Sequence, residues 1–514
     1  MFGRIAIGCL ILGVHLHCCD SLRAEKFRIA TKASRERRLS PELDVLRHCN
    51  GRLLGFCRRG KPIIDVPKEQ SEALRSMALA VDENVPQIAD RPMRLLISYN
   101  QQAGKPTTAT LKTAGLNAIE DYAQGSFLIV EPVETVSAQT VDTLLSDNAV
   151  VHAAPDYVMS VPANEPVKMV DVPADSATPT DPLWSHLWGM KNIHANTVWR
   201  THREATNVIV AVIDTGVDYT HPDLKNNMWT KNGSHGYDFF DDDNQPLDEQ
   251  GHGTHCAGTI AAEGNNNVGV VGVCWKAQIM AMRFLGPDGS GSTADAVKCI
   301  DWAVANGAHI LSNSWAGPDN SVELAAAITR AEQRGVLFVA AAGNTVNGGN
   351  NNDTNPYYPA AFPNANMISV GAIDVNDAAG TFTHYGKISV DIGAPGVGIV
   401  SSMPNNKYAQ LDGTSMAAPH VAGAAALVWA KAFPTPAQTP AQMTRVRDLL
   451  LQNARPVPAF QQLWGQASPA RVPGGVLDLA FLVGASSDPT PTPQPPAAPR
   501  FIERRAFADP AKFR

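Results

Sequence analysis

The sequence predicts an α/β fold: a mostly parallel, doubly wound sheet with helices on both faces, preceded by a small α+β unit. Two observations carry this. The apolar runs "NVIVAVI", "AQIMAMRFL", "AHILSNSW", "GVLFVAAAG" and "MISVGAI" are continuous rather than alternating, as strands buried on both faces are. Helical segments such as "STADAVKCIDWAVANG" and "SVELAAAITRAEQRG" separate them, and that alternation gives a parallel sheet covered on both sides. At 514 residues the chain is also too long for one ordinary core.

The elements follow in chain order. Residues 1–24 set one Arg, Arg4, before an apolar run from Ile5 to Leu16 and a small polar stretch up to Ala24, the pattern of a secretory signal peptide. The run is short for a membrane span, so a secreted protein without a stable membrane anchor is expected. Residues 25–91 receive no fold assignment. In 92–162, "MRLLISY" and "GSFLIVEPV" read as strands with a helix between them. "SAQTVDTLLSDN" reads as a helix capped by Ser137, and "AVVHAAPDYVMSV" as a last strand with an extended tail. Residues 163–179 are Pro-rich and polar, a linker. The large body spans 180–486, and 487–514 form a proline-rich tail.

Composition narrows the function. The chain is 44% hydrophobic and 18% charged with a net charge of −7, so nothing general favours nucleic acid as a partner. The Arg- and Lys-rich stretch at 26–61 reads as a solvated, flexible or processed segment. Of eight cysteines, Cys9, Cys18 and Cys19 leave with the signal or lie at its edge, and Cys49 and Cys57 are a close pair. Cys256, Cys274 and Cys299 form an odd set in the body, implying a free thiol. Whether Cys274 and Cys299 pair depends on geometry.

Three segments place reactive groups where a parallel sheet presents its ligands. Asp214 ends "NVIVAVID", and a turn-capping role is the plain alternative. His252 stands between glycines in "GHGTHCAGTIAA", where a loop histidine or a metal pair with His255 are the alternatives. The spacing lacks the acidic residue of H-E-x-x-H, which argues against zinc. Ser415 opens "GTSMAAPHVAGAAALVWA", where a simple helix N-cap is the alternative. The small residues Gly413, Ala417, Ala418, Gly423 and Ala424 around it suit a crowded, deeply packed site rather than a cap. Together Asp, His and Ser supply an orienter, a base and a nucleophile. Asn344, after "GVLFVAAAG", adds an amide for an oxyanion hole with the Ser415 N–H.

The segments "VIDTGVDYTHPDL", "GHGTHCAGTIAA", "AAAGN" and "GTSMAAPHVAG" resemble those of the subtilisin-like serine peptidases over most of residues 180–484, in the order Asp, His, Ser. The resemblance implies a secreted serine endopeptidase acting on protein or peptide substrates, with Asp214, His252 and Ser415 as triad and Asn344 as oxyanion residue. It also implies a substrate groove with Gly289, Ser290 and Gly291 on one wall and Ser314, Trp315 and Ala316 on the other. Tyr357 is placed near the base of its P1 pocket. No catalytic cofactor is implied, but a structural Ca²⁺ held by Asp181, Asp223 and Asn266 is. Residues 92–162 resemble the family's ferredoxin-like propeptide, an intramolecular inhibitor and folding aid. The precursor is expected to cut itself within about residues 158–180 and to be a monomer.

Two rivals remain from the sequence. One is an inert peptide-binding protein that keeps this fold, and the other is a hydrolase using Cys256. Pro419, inside the Ser415 helix, has no role legible here.

Overall fold

The structure is a computed structural model that describes residues 57–58, 61–62, 93–133, 136, 138–162, 168–169, 179–346, 348–465 and 471–483. The expected signal peptide, most of the 25–91 extension, Ser137, most of the linker and the tail lie outside these residues. The chain divides into units 1–65 and 66–514. In the first, β1 (Cys57–Arg58) and β2 (Lys61–Pro62) form an antiparallel pair.

The second unit begins with a four-stranded antiparallel sheet of order β4–β5–β3–β6. It comprises β3 (Leu95–Tyr99), α1 (Thr108–Thr113), β4 (Leu116–Tyr122), β5 (Phe127–Pro132), α2 (Ala138–Ser146) and β6 (Val150–Pro155). Thr107 caps α1 by accepting the Thr110 N–H at 3.1 Å. The expected single last strand is broken after Pro155, and β7 (Val158–Ser160) and β8 (Lys168–Met169) continue separately. Strand β4 escaped the sequence reading because "LNAIEDY" is largely exposed and polar.

The body contains α3 (Trp188–Asn192), α4 (Ala195–Val198), β9 (Glu204–Asp214), β10 (Gly236–Asp238), α5 (His252–Ala261), β11 (Lys276–Arg283) and β12 (Ser290–Ser292). It continues with α6 (Thr293–Ala305), β13 (Ile310–Asn313), α7 (Val322–Gln333), β14 (Leu337–Ala341), β15 (Met367–Ile373) and β16 (Ile392–Pro395). Last come β17 (Ile399–Met403), β18 (Lys407–Leu411), α8 (Thr414–Ala432), α9 (Pro440–Gln452), β19 (Arg455–Pro456) and β20 (Gly475–Val476). The sheet runs β10–β11–β9–β13–β14–β15–β16–β20–β19, parallel except for the final pair. The five apolar runs are its central strands, as the sequence predicts.

Strand alternation divides the core into two layers. Val208, Val210 and Val212 of β9 pack with Ala257 and Ile260 of α5 and with the buried face of α8. Ala211 and Ile213 point the other way, onto Ile300 of α6 and Leu324 and Ile328 of α7. Helix α8 is buried continuously from Thr414 to Trp429. Its small residues permit this: a Cβ on Gly423 would lie 2.8 Å from Val273 Cβ and 2.9 Å from the Ile260 carbonyl. Leu96, Phe127 and Ile129 of the small sheet join the α6–α7 layer, so the two sheets share a core inside one unit.

Candidate active site

Asp214 is the last residue of β9, and the sheet's carboxyl edge delivers it to the same place as the start of α5. Gly251 caps α5 with φ +111°, a conformation that L side chains rarely adopt. A Cβ on Gly253 would lie 2.0 Å from the Gly216 carbonyl. Only a glycine lets the helix press onto the turn after β9. That contact brings His252 Nδ1 to 2.7 Å from Asp214 Oδ1, with both residues buried.

Asp248, which the sequence reading missed, locks this junction. Its carboxylate accepts from Thr215 Oγ1 at 2.9 Å, Gly251 N at 2.7 Å, Thr254 N at 2.8 Å and Thr254 Oγ1 at 2.6 Å. Burial opposes charging of His252, but the adjacent Asp214 carboxylate outweighs it and holds the imidazole pKa well above its usual value. His255 faces elsewhere, its Nε2 shared between the carbonyls of Ile399 and Ala409 at 3.1 and 3.2 Å. Its pKa is pushed down to about 3 by burial, and its Nε2 is taken up by those carbonyls rather than turned toward His252.

Ser415 is not the helix cap. Gly413 holds that position, Ser415 is the second residue of α8, and its Oγ donates to the Ser314 carbonyl at 3.2 Å. A capping serine would instead accept from its own helix's N–H groups. Pro419 now finds its role. Lacking an N–H, it leaves the Ser415 carbonyl without its helical donor, and that oxygen accepts Ser314 Oγ at 2.9 Å and Cys256 Sγ at 3.5 Å. The break in the ladder thus ties the start of α8 to α5 and to the loop after β13.

Asn344 follows β14 and is buried. Its Oδ1 accepts both the N–H of Thr414, at 3.0 Å, and its Oγ1, at 2.8 Å. The amide nitrogen is therefore turned away from Thr414, beside the N-terminal turn of α8, whose first N–H groups lack intrahelical acceptors. Thr414 is a second residue that sequence reasoning missed, although it stands next to Ser415.

The predicted groove residues form two facing edges with a chain segment between them. Strand β7 pairs antiparallel with β12, setting Ser160 against Ser290, Met159 against Gly291 and Val158 against Ser292. Val161 N donates to Gly289 O at 3.0 Å. On the other side Ser160 exchanges hydrogen bonds with Ala316, at 3.3 and 2.9 Å. Met159 is fully buried in the layer that holds Phe284 and Trp315, whose rings meet edge-on at 5.1 Å. Tyr357 packs edge-on against His384, 4.7 Å between centroids. Its neighbour Tyr358 pairs with Gly317 and so braces the Ala316 wall.

Asp181, Asp223 and Asn266 also meet. Asp181 accepts from the N–H groups of Asn265 at 2.9 Å and Asn266 at 3.4 Å. Asp223 accepts from Asn266 Nδ2 at 2.8 Å, Val270 N at 2.9 Å and Tyr408 Oη at 2.9 Å. Burial pushes the Asp181 carboxyl up to about 6. Burial and the nearby Asp181 charge push Asp223 to about 7, and only neutral donors oppose them. Two buried carboxylates and an amide from distant chain positions, without a cationic partner, fit a hard divalent cation. Cys274 and Cys299 are both free and buried. They lie against the carbonyls of Arg203 and Arg283, respectively.

A parallel α/β sheet that gathers Asp, His and Ser at its carboxyl edge belongs to the serine hydrolases as a class. The subtilase family model matches residues 205–475. The chain is 35% identical over 340 residues to a thermophilic serine proteinase of Bacillus sp. strain AK1, covering 65% of this chain and 77% of that protein. It is 41% identical over 252 residues to thermitase of Thermoactinomyces vulgaris, covering 49% and 85%. Among solved structures it resembles fervidolysin of Fervidobacterium pennivorans, a keratinolytic enzyme related to subtilisin. The TM-score is 0.58 at 26% identity, over 71% of this chain and 58% of that one. The chain belongs to the subtilase family and is a subtilisin-like serine protease.

Proposed function

We propose that this protein is a secreted serine endopeptidase, made as a zymogen, in which Ser415 is the nucleophile, His252 the base and Asp214 its orienter. The observation that carries the reading is the buried 2.7 Å Asp214–His252 pair, joined through Cys256, whose Sγ lies 3.9 Å from His252 Nδ1 and 3.5 Å from the Ser415 carbonyl, to a serine that caps nothing. The Ser415 hydroxyl turns from the Ser314 carbonyl to His252 Nε2, which is buried and has no hydrogen-bond partner. Oγ attacks the substrate carbonyl as Nε2 takes its proton. Asp214 holds the Nδ1 proton and stabilises the imidazolium. Asn344 Nδ2 and the Ser415 N–H receive the oxyanion. His252 then protonates the leaving amine, and water repeats the sequence in reverse to free the acyl group.

Gly289–Gly291 and Ser314–Ala316 bind substrate by strand addition, with Tyr357 at the P1 end. Residues 92–162 act as an inhibitory propeptide, supported by β7 lying in that groove. Among the described residues no helix is long and apolar enough to cross a membrane. Asp181, Asp223 and Asn266 would hold Ca²⁺, which would supply the positive charge that their buried carboxylates lack.

A fluorophosphonate probe tests the reading. Wild type should label and cut itself within residues 158–180, and Ser415→Ala should do neither. Labelling of Ser415→Ala equal to wild type would show another nucleophile. No labelling of wild type would favour the inert peptide-binding protein.

A further inference from the structure

The groove described so far accounts for only one side of the bond to be cut. The chain that fills it reappears on a second edge. Six residues beyond Pro162, β8 pairs antiparallel with β18, Lys168 against Gln410 and Met169 against Ala409. Strand β18 leads directly into Gly413 and Ser415, so it is the edge that runs away from the nucleophile. On its other side it is paired with β17. Its outer edge would therefore present unpaired main-chain groups if β8 were not there.

The register on the first side fixes where the bond lies. Ser160 faces Ala316, and in an antiparallel pair two residues further on one strand oppose two residues back on the other. Continued by that register, Pro162 would stand opposite Ser314, whose carbonyl holds the Ser415 hydroxyl. The bond presented to the nucleophile would then be the one that follows Pro162. Lys168 and Met169 are then the sixth and seventh residues on its leaving-group side.

We propose that the outer edge of β18, Lys407–Leu411, is a main-chain binding site for the leaving-group side of an extended polypeptide, reached six to seven residues past the cut. The inference rests on the protease reading above and deepens it. Recognition is by strand addition and so takes backbone rather than particular side chains. The substrate class it selects is a long, extended or unfolded protein chain over a short peptide. In the precursor the chain's own Lys168–Met169 holds the site. Cutting after Pro162 leaves that segment attached to the body as a competitor.

The test uses the self-processed enzyme and a variant carrying Lys168→Pro and Met169→Pro, whose own segment keeps no amide N–H at these positions to pair with β18. Quenched-fluorescence peptides share one sequence before the cut and carry either three or eight residues after it. A third peptide of the long form is N-methylated at the sixth and seventh residues. The long peptide should show a KM about tenfold lower than the short one, N-methylation should abolish the gain, and the gain should be largest in the Pro variant. KM values within twofold of one another for all three peptides, in both enzymes, would overturn the proposal. A peptidyl nitroanilide, which has no residues after the cut, is the control: its failure to be cleaved would count against the protease reading instead.

Discussion

The molecule buries two acidic sites about which its chemistry divides. At the first, Asp214 stands against His252, a partner able to carry positive charge. At the second, Asp181 and Asp223 stand near each other with neutral donors alone. Both sites lie within the same core, and both are built from residues far apart in sequence. The difference is how the charge is met: the first site compensates internally, whereas the second leaves a deficit that the proposed cation would fill. A buried carboxylate without compensation costs stability, so on the proposed reading the second site would make the fold depend on an ion and the first would make the chemistry depend on a proton.

Breaking the first site has the largest effect. Asp214→Asn should lower kcat by about 10⁴, and Ser415→Ala should lower it by several powers of ten, with KM little changed in either. Thermal unfolding of Asp214→Asn should stay near wild type. A loss of activity that tracks a loss of folded protein would contradict the assignment.

The pH profile sharpens the contrast. The folded pKa of His252 is raised, so the Asp214–His252 pair contributes most stability below the unfolded histidine value of ~6.5 and loses it as pH rises through the folded value. Catalysis needs the neutral base, so kcat/KM should rise over that same higher range. Its acid limb is expected above ~6.5, and it should move down in Asp214→Asn, where the Asp214 charge no longer opposes burial. A limb that does not shift between the two enzymes would remove Asp214 as the cause.

At the second site protons compete with the cation. Removing calcium with EGTA should lower Tm by roughly 5 °C at pH 8. The drop should be smaller at pH 5.5, where Asp181 and Asp223, pushed up to about 6 and about 7, are largely protonated without the ion. The sign follows from the raised values: ionising these carboxyls as pH climbs destabilises the ion-free fold. An equal drop at both pH values, or none, would refute the calcium assignment.

Legibility in the sequence followed the same line between local and distant causes. The buried strands could be read because each is a continuous apolar run, and Asp214, His252, Asn344 and Ser415 because each sits in a short local pattern. Strand β4 could not be read, since its exposed residues carry no apolar run. Asp248, Thr414 and Pro419 act through hydrogen bonds to residues up to 71 positions away in sequence or through one they fail to make. The thiols of Cys274 and Cys299 show the converse: sequence allows a pairing, but the fold sets each against a different backbone carbonyl.

Cys256 gives the smallest expected effect and the finest probe of the first site. Its Sγ lies 3.9 Å from His252 Nδ1, the nitrogen already bound to Asp214. Burial raises its thiol pKa, so the sulfur stays protonated and is a poor nucleophile. It also lies on the Nδ1 side of the ring, whereas the proton that matters moves through Nε2. Its visible task is to meet the Ser415 carbonyl that Pro419 leaves open, which it shares with Ser314. Cys256→Ala should therefore change kcat/KM by about twofold or less, with a modest loss of Tm from the small cavity. A hundredfold loss of kcat with folding intact would mean that the sulfur takes part in the chemistry. Fluorophosphonate labelling that survives in Ser415→Ala but disappears in Cys256→Ala would mean the same.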